Sequence, residues 1–208
     1  YPALDMRTGV SGVSTFPDDF QSKQGFAVLD RQFSAGAVNP VQIVVDGRVD
    51  DPAVRAGMTR LEAALADDEA FGPVQTQVAE TGTLALLSVP VAGDAVGDVA
   101  IQKVRELRET LAPAAFGGTG ASVYVTGQTF GSLGGPSVGG YDAFLSRYDA
   151  AGNLLWTAQL GSDQHDWSTG VSADPLGNVF IAGWTGGSIG GPLAGSTDSF
   201  VSRYDNAG

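Results

Sequence analysis

The last 86 residues of this 208-residue chain contain an internal repeat, which constrains the fold more than any other sequence feature. Residues 123–152 align without a gap to residues 179–208, an offset of 56, and 17 of the 30 aligned positions are identical. The identical pairs include Gly127/Gly183, Pro136/Pro192, Asp142/Asp198 and the block 146–149 against 202–205. Agreement at this level predicts two copies of one structural unit.

Composition changes near residue 122. The first 122 residues hold 16 acidic and 9 basic residues with 13 glycines, whereas the remaining 86 hold 7 acidic and 2 basic residues with 17 glycines. Such a shift marks a domain boundary. We therefore predict a lead-in with a helix (residues 1–40), an α/β domain (41–127) and a repeat domain (123–208).

Strand and helix patterns alternate in the α/β domain. Strands are predicted at 41–46, 74–79, 83–89 and 122–127, with a turn at Thr81-Gly82. Asp51 is a good helix N-cap and Pro52 suits the first helical position. The apolar stripe of this helix is Val54, Met58, Leu61 and Leu65.

A second helix is predicted from about Asp94 to Leu111, and Pro113 is expected to end it. Its apolar face carries Ile101, Val104, Leu107 and Leu111. The resulting order, β-α-β-β-α-β, is that of ferredoxin-like folds. Right-handed crossovers would place both helices on one face of the sheet, so the other face needs a cover.

A further helix is predicted to begin at Pro17 and Asp18. Its apolar face carries Phe26, Leu29 and Phe33. This helix either covers the open face of the sheet or docks elsewhere.

The repeat domain is predicted to consist of short strands separated by turns. The strand candidates are 153–160, 168–175, 179–184 and 198–205. The turns Asp149–Asn153 and Asp174–Asn178 share the pattern D-x-x-G-N, in which Asp accepts a local N–H and Gly supplies a positive φ. Roughly four strands per 56 residues is the spacing of a propeller blade. The fold class is therefore α+β: a ferredoxin-like subdomain with an N-terminal helix, then an all-β partial propeller of about one and a half blades.

Two family resemblances follow from these segments. The lead-in GVSTFPDDFQSKQGFAVLDRQF, the strand VQIVVDG and the helix DPAVRAGMTRLEAAL make residues 1–127 similar to the extracytoplasmic porter domain of MMPL-type exporters of the RND superfamily. The words DAFLSRYDAAGNLLWTAQLG and GVSADPLGNVFIAGWT make residues 123–208 similar to SBBP-type β-propeller repeats of secreted and surface bacterial proteins. The two resemblances overlap at Val123–Thr129.

His165 is the only histidine, and Asp163 and Asp166 flank it. A base or metal ligand oriented by a carboxylate is one interpretation, and a polar loop between blade strands is the favoured one. Calcium binding by Asp163, Asp166, Asp149 and Asp174 is disfavoured against a turn-forming role, because the alternating EF-hand spacing is absent. No catalytic, cofactor or metal residue is assigned.

Other candidate residues also have a structural interpretation that is favoured over a functional one. Trp156, Trp167 and Trp184 are expected to be blade core rather than a ligand platform. The glycine runs 117–120 and 131–140 are expected to be connectors, because neither has the G-K-[ST] ending of a phosphate loop. Arg147 and Arg203 occupy equivalent repeat positions, which favours a structural role.

Charge and composition restrict the function further. The net charge of −12 disfavours nucleic acid and anionic membrane surfaces as partners. The chain has no cysteine, which excludes disulfides and thiolate sites, and it has no 18-residue apolar run. Because it begins at Tyr1 rather than Met, we expect it to be a segment of a longer protein.

The resemblances imply three readings of the function. The first is a non-catalytic extracytoplasmic segment of an RND/MMPL-type exporter of lipids or other hydrophobic molecules, partnered by the membrane-embedded remainder of the protein. The second is a secreted or cell-surface propeller-repeat protein with a binding or structural role, partnered by further blades. The third is an artificial or misassembled composite of the two families, joined at Val123–Thr129. No enzyme activity is expected, since no catalytic set converges.

Overall fold

The computed structural model describes residues 16–33, 40–92, 98–174 and 176–208. The helices are α1 (Gln21–Phe33), α2 (Pro52–Ala66), α3 (Asp98–Glu106), a π segment (Leu107–Leu111) and α4 (Ala112–Phe116). The strands are β1 (Val41–Asp46), β2 (Gln75–Val78), β3 (Leu84–Val89), β4 (Ser122–Thr129), β5 (Asp142–Tyr148), β6 (Leu154–Leu160), β7 (Asp166–Ala173), β8 (Val179–Thr185) and β9 (Asp198–Tyr204). None of the described helices is long and apolar enough to cross a lipid bilayer.

The described strands form two antiparallel sheets. The first has the strand order β2-β3-β1-β4-β5-β6, and the second has the order β7-β8-β9. Strand β4 pairs with β1 along one edge and with β5 along the other, so the first sheet runs through the predicted boundary between the two halves. Whether residues 1–40, 41–127 and 123–208 fold as separate units stays a prediction.

Helix α2 begins as its sequence predicts. The Asp51 carboxylate accepts a hydrogen bond from the Ala53 N–H at 2.8 Å, and Pro52 occupies the first helical turn, where its missing N–H costs nothing. The predicted stripe of Val54, Met58, Leu61 and Leu65 is buried. The elements from β1 to β4 follow in the predicted β-α-β-β-α-β order.

The second helix of this half differs from its prediction at Pro113. Helical structure continues past this residue to Phe116, because a π segment precedes it and restarts the hydrogen-bond register. The Ala112 N–H bonds the Leu107 carbonyl, five residues back, and Pro113 then lies in the first turn of α4, where a proline is tolerated. The predicted start near Asp94 lies outside the described residues.

Helices cover one face of the first sheet, as the crossover rule predicts. The core between them contains residues of α2, the π segment and α4 packed against β1, β3, β4 and β5. Its largest fully buried side chains are Ile43, Leu61, Leu65, Leu87, Leu107, Phe116 and Phe144. Burial of this apolar surface is the main term that stabilises the layer.

The second sheet packs on the opposite face of the first. Val44, Tyr124, Ala143 and Leu145 of the first sheet meet Ala173, Val179, Ile181 and Phe200 of the second in a separate core. The face that needed a cover is therefore covered, in part, by the second sheet, that is, by β7 together with the second repeat. The predicted lead-in helix is present as α1. The side chains of Phe26, Leu29 and Phe33 on its apolar face lie outside what the structure describes.

Two strands of each repeat correspond on the 56-residue offset. Strands β4 and β5 of the first repeat correspond to β8 and β9 of the second. In the second sheet, β7 pairs with one edge of β8. The equivalent edge of β4 in the first sheet pairs with β1. Val125 lies opposite Ile43, and its equivalent Ile181 lies opposite Val171. A strand of the α/β half thus completes the sheet of the first repeat.

Candidate functional site

The D-x-x-G-N turns use their carboxylates locally. Asp149 accepts hydrogen bonds from the N–H groups of Ala151 and Asn153, at 2.9 and 2.8 Å, and Gly152 has a φ of 85°. Asp174 makes the same bonds to Leu176 and Asn178, both at 2.9 Å. The side-chain amides of Asn153 and Asn178 hold the pKa of the adjacent Asp below its usual value. These residues form turns, as the sequence indicates.

Two other aspartates are fully buried and organise loops. Asp142 accepts from the Val138 N–H at 3.0 Å and from the Gln159 side-chain amide at 2.6 Å. Asp166 accepts from the Ser162 N–H at 2.6 Å and from the Ser162 hydroxyl at 3.0 Å. A buried carboxylate persists only when such bonds replace its hydration. Both oxygens of Asp166 therefore have partners, whereas both bonds to Asp142 end on Oδ2, and its buried Oδ1 has no partner among the described residues.

We expect Asp166→Ala to lower the free energy of unfolding by about 2–4 kcal/mol, because the Ser162 N–H and hydroxyl would be left buried without an acceptor. Asp163→Ala is the matched control, since Asp163 is exposed and three residues away. Its expected change is within about 0.5 kcal/mol. Urea denaturation of both variants measures the difference, and equal losses would contradict the role assigned to Asp166.

His165 lies in an aromatic cluster rather than in a carboxylate site. Its Nδ1 accepts a hydrogen bond from the Tyr141 N–H at 3.0 Å, and its carbonyl accepts from the Gly186 N–H at 2.8 Å. The imidazole centroid is 5.3 Å from that of Tyr141 and 5.1 Å from that of Trp167. In the part of the chain that the structure describes, no three His, Asp or Glu side chains converge to hold a metal ion.

The three tryptophans do not form one platform. Trp167 and Trp184 lie opposite each other on β7 and β8 and stack with centroids 3.7 Å apart and planes 20° apart. Trp156 lies apart from them, on β6, where its indole N–H donates to the Asn206 carbonyl at 3.2 Å and its ring faces Tyr204 at 6.0 Å. The side chain of Trp184 is 37% exposed, so it is not enclosed in a blade core.

An exposed apolar surface follows from the alternation of the second sheet. Val179, Ile181 and Phe200 point into the core between the sheets, so their strand neighbours lie on the other side. We call this side the outer face, and it carries Trp167, Phe180, Trp184, Ser199, Val201 and Arg203. Val201 is 72% exposed and lies in the middle of β9, the edge strand of this sheet, opposite Ala182.

The repeat offset gives the outer face a buried counterpart. Tyr124 and Leu145 of the first repeat correspond to Phe180 and Val201 of the second, and both are fully buried against the second sheet. In the second repeat the equivalent face is the outer face, which is uncovered among the described residues. Sequence reasoning missed this surface, although the apolar pair Leu145/Val201 at equivalent positions was a visible signal.

The remaining candidates have structural partners or remain connectors. Gly118 and Gly120, with φ of 78° and 83°, connect α4 to β4, and Gly131–Gly140 connects β4 to β5. Arg147 donates to the Asn206 carbonyl at 2.9 Å and lies 5.7 Å from the Tyr124 ring centroid, which is a cation–π contact. Its repeat equivalent Arg203 is exposed on the outer face.

Charged and polar side chains lie together on the first sheet around Arg147 of β5 and Tyr124 of β4. Burial raises the pKa of Asp46 despite the nearby Arg147 charge, and it also raises the pKa of the Tyr124 hydroxyl. Both shifts follow from desolvation, which disfavours a charged form. The arrangement belongs to the packing of the two sheets and places no reactive group in a cleft.

Comparison with known protein families finds a match within the repeat half of the chain. The SBBP family, described as a β-propeller repeat, matches residues 155–191. Over this stretch the chain is similar to a β-propeller repeat. The matched residues begin in β6, the outer strand of the first sheet, and continue through β7 and β8, so the β-propeller similarity includes the crossing from one sheet to the next. A search of curated proteins finds no match. The resemblance of residues 1–127 to an exporter porter domain stays a prediction.

Proposed function

We propose that this chain is a non-catalytic β-propeller-type repeat module that works by binding, and that its outer face docks against a further sheet of the same repeat type. The observation that carries this proposal is the contrast between Leu145, which is fully buried, and its equivalent Val201, which is 72% exposed. Each repeat presents an apolar face, and only the first one is covered within the described chain.

The α/β half has a defined place in this proposal. The first repeat buries Val123, Val125 and Phe144 against helices, and the second buries the equivalent residues against the first repeat. The helical layer therefore stands where a preceding blade would stand. Repeat arrays need end units that cover the apolar face of a terminal repeat. We infer that the α/β half acts as such a cap, in a protein located outside the cytoplasm, as the SBBP resemblance implies.

The test extends the chain by one repeat. Residues 153–208 are duplicated after Gly208, which preserves the 56-residue offset and supplies both a strand partner for β9 and a sheet for the outer face. We expect one cooperative unfolding transition at a higher denaturant concentration than for the parent chain. We also expect a blue shift of tryptophan emission, because Trp184 becomes buried.

Val201→Asp provides the control for this experiment. In the parent chain its effect should be within about 0.5 kcal/mol, because the side chain is exposed. In the extended chain it should remove the gain, because a carboxylate would be buried without a partner. An added repeat that unfolds independently, or a gain that survives Val201→Asp, would refute the docking role of the outer face.

A second candidate function is the extracytoplasmic segment of an RND/MMPL-type exporter of lipids or other hydrophobic molecules. The strand order β2-β3-β1-β4, with helices on one face, supports it, because this is the arrangement of ferredoxin-like domains such as porter subdomains. The test is the flanking reading frame. Apolar segments of about 20 residues on either side of this stretch would favour the exporter. A secretion signal with further 56-residue repeats would favour the surface protein.

A further inference from the structure

A small cavity opens where the helical layer meets the loop between β4 and β5. It has a volume of about 80 Å³. Ile101, Val104 and Arg108 line it from the helical side, and Gln128, Phe130 and Leu133 line it from the loop side. Its walls are mainly apolar, and its position between the two halves of the chain is separate from the outer face.

Arg108 gives this cavity a buried guanidinium group. The side chain is 6% exposed, and its Nη2 pairs with the carboxylate of the neighbouring Glu109. The Nε of Arg108, however, has no hydrogen-bond partner among the described residues. A buried guanidinium is unfavourable unless its N–H groups are bonded, and the hydrogen bonds of this one are incomplete among the described residues.

The π segment explains how the arginine comes to be buried. Leu107 and Arg108 are consecutive, and both are buried, since the wider π turn rotates the helix relative to the sheet. The carbonyl of Arg108 is also fixed, because the Tyr148 hydroxyl donates to it at 2.5 Å. The main chain at this residue is therefore held by β5, and the side chain lies at the wall of the cavity.

We propose that the cavity binds a small monocarboxylate with a short apolar body. The carboxylate would be bound by the guanidinium of Arg108, whose planar N–H groups match carboxylate geometry. Exposed Arg105, which forms no ion pair with another described residue, lines the same cavity and adds positive charge at its mouth. Ile101, Val104 and Leu133 would contact the apolar body. A doubly charged phosphate has no such body and meets only one buried guanidinium.

The volume limits the ligand further. A cavity of about 80 Å³ is far larger than a single water requires, and it is smaller than a cavity of roughly 150 Å³ that holds benzene. A chain of a few carbon atoms fits this space better than an aromatic ring. Butyrate is therefore the probe of choice, with 1-butanol as the neutral probe of the same length and inorganic phosphate as the anion without an apolar body.

The test is a titration of the ¹⁵N-labelled 208-residue chain with each probe, followed by amide chemical shifts. We expect butyrate to cause saturable shifts in the amides of residues 130–133. Arg108→Met should weaken butyrate binding at least tenfold, because it removes the charged hydrogen bonds and keeps the side-chain length. Arg203→Met is the matched control, and it should bind butyrate like the parent chain, because Arg203 is exposed on the outer face.

A second variant keeps the test decisive if Arg108→Met does not fold. Ile101→Trp fills the cavity from the half-buried wall and leaves Arg108 in place, so it should abolish the butyrate shifts. Three results would overturn the proposal. These are shifts that stay linear in butyrate concentration, equal binding by the parent and either cavity variant, or binding of butanol or phosphate as tight as that of butyrate.

Discussion

Gly183→Ala should lower the free energy of unfolding by about 3 kcal/mol or more, whereas Gly127→Ala, the equivalent change in the first repeat, should cost less than about 1 kcal/mol. At Gly183 an added Cβ would overlap the carbonyl oxygen of Trp167 and would lie 2.9 Å from the Phe200 ring. Backbone cannot move out of the way without breaking the β7–β8 ladder. The glycine is therefore required by its neighbour rather than by its own φ.

At Gly127 the closest contact of the same Cβ would be the edge of the Phe144 ring, at 3.3 Å, and Val41 would lie at an ordinary 3.8 Å. A side chain can yield by a few tenths of an ångström, and alanine is intrinsically better than glycine within a strand. The difference between the two sites arises from the irregular register of β7 between Ser168 and Gly170, which has no counterpart in the pairing of β1 with β4.

Chemical denaturation followed by circular dichroism measures both glycine variants. For a chain of this size, 3 kcal/mol corresponds to a fall in Tm of roughly 6–12 °C. Similar losses at Gly127 and Gly183 would mean that the close approach of Trp167 to β8 is not part of the folded state. The equivalent positions of β1, which lies beside β4, and of β7, which lies beside β8, would then need a different explanation.

Leu145→Ala should cost about 3 kcal/mol, because it leaves a cavity in the core between the two sheets. Its repeat equivalent, Val201→Ala, should cost less than about 0.5 kcal/mol, because the valine is 72% exposed. The same denaturation experiment compares them. The pair tests the packing of the second sheet on the first directly, since a loosely attached second sheet would make the two changes equally small.

The chain extended by one repeat provides a second test of Val201→Ala. With one more repeat covering the outer face, the cost of Val201→Ala should rise to about 1–2 kcal/mol, since a buried valine loses its contacts on truncation. An unchanged cost would show that the added repeat does not reach the outer face. The Leu145 variant should remain as costly as before, because its partners are already present.

Features determined by neighbouring residues could be predicted from the sequence. The cap at Asp51, the apolar stripe from Val54 to Leu65 and the turns at Asp149 and Asp174 depend on a few adjacent side chains, and the structure confirms them. The role of Pro113 could not be predicted. Proline stops a regular α-helix, and only packing of the preceding turn explains why a π segment makes it tolerable.

Features determined by distant partners were beyond pattern reasoning. A strand such as β1 shows its apolar faces in the sequence, but not that its neighbour β4 also starts a propeller-type repeat. Likewise, the alternation in β9 predicts two faces without telling which one is covered, so the exposure of Val201 was not foreseen. The burial of Arg108 depends on the π segment, and a lone arginine on a predicted helix gives no sign of it.

The double pairing of β4 also has a consequence for the order of folding. The ladder between β1 and β4 joins residues such as Val44 and Tyr124, which are 80 positions apart, whereas β4, β5 and β6 follow one another directly. Contacts between distant positions carry a larger loop-closure entropy and form more slowly. During synthesis, β1 must remain without one of its two neighbours until residue 129 has left the ribosome. The repeat that looks like an attachment to the α/β half is then the template on which that half completes its own sheet.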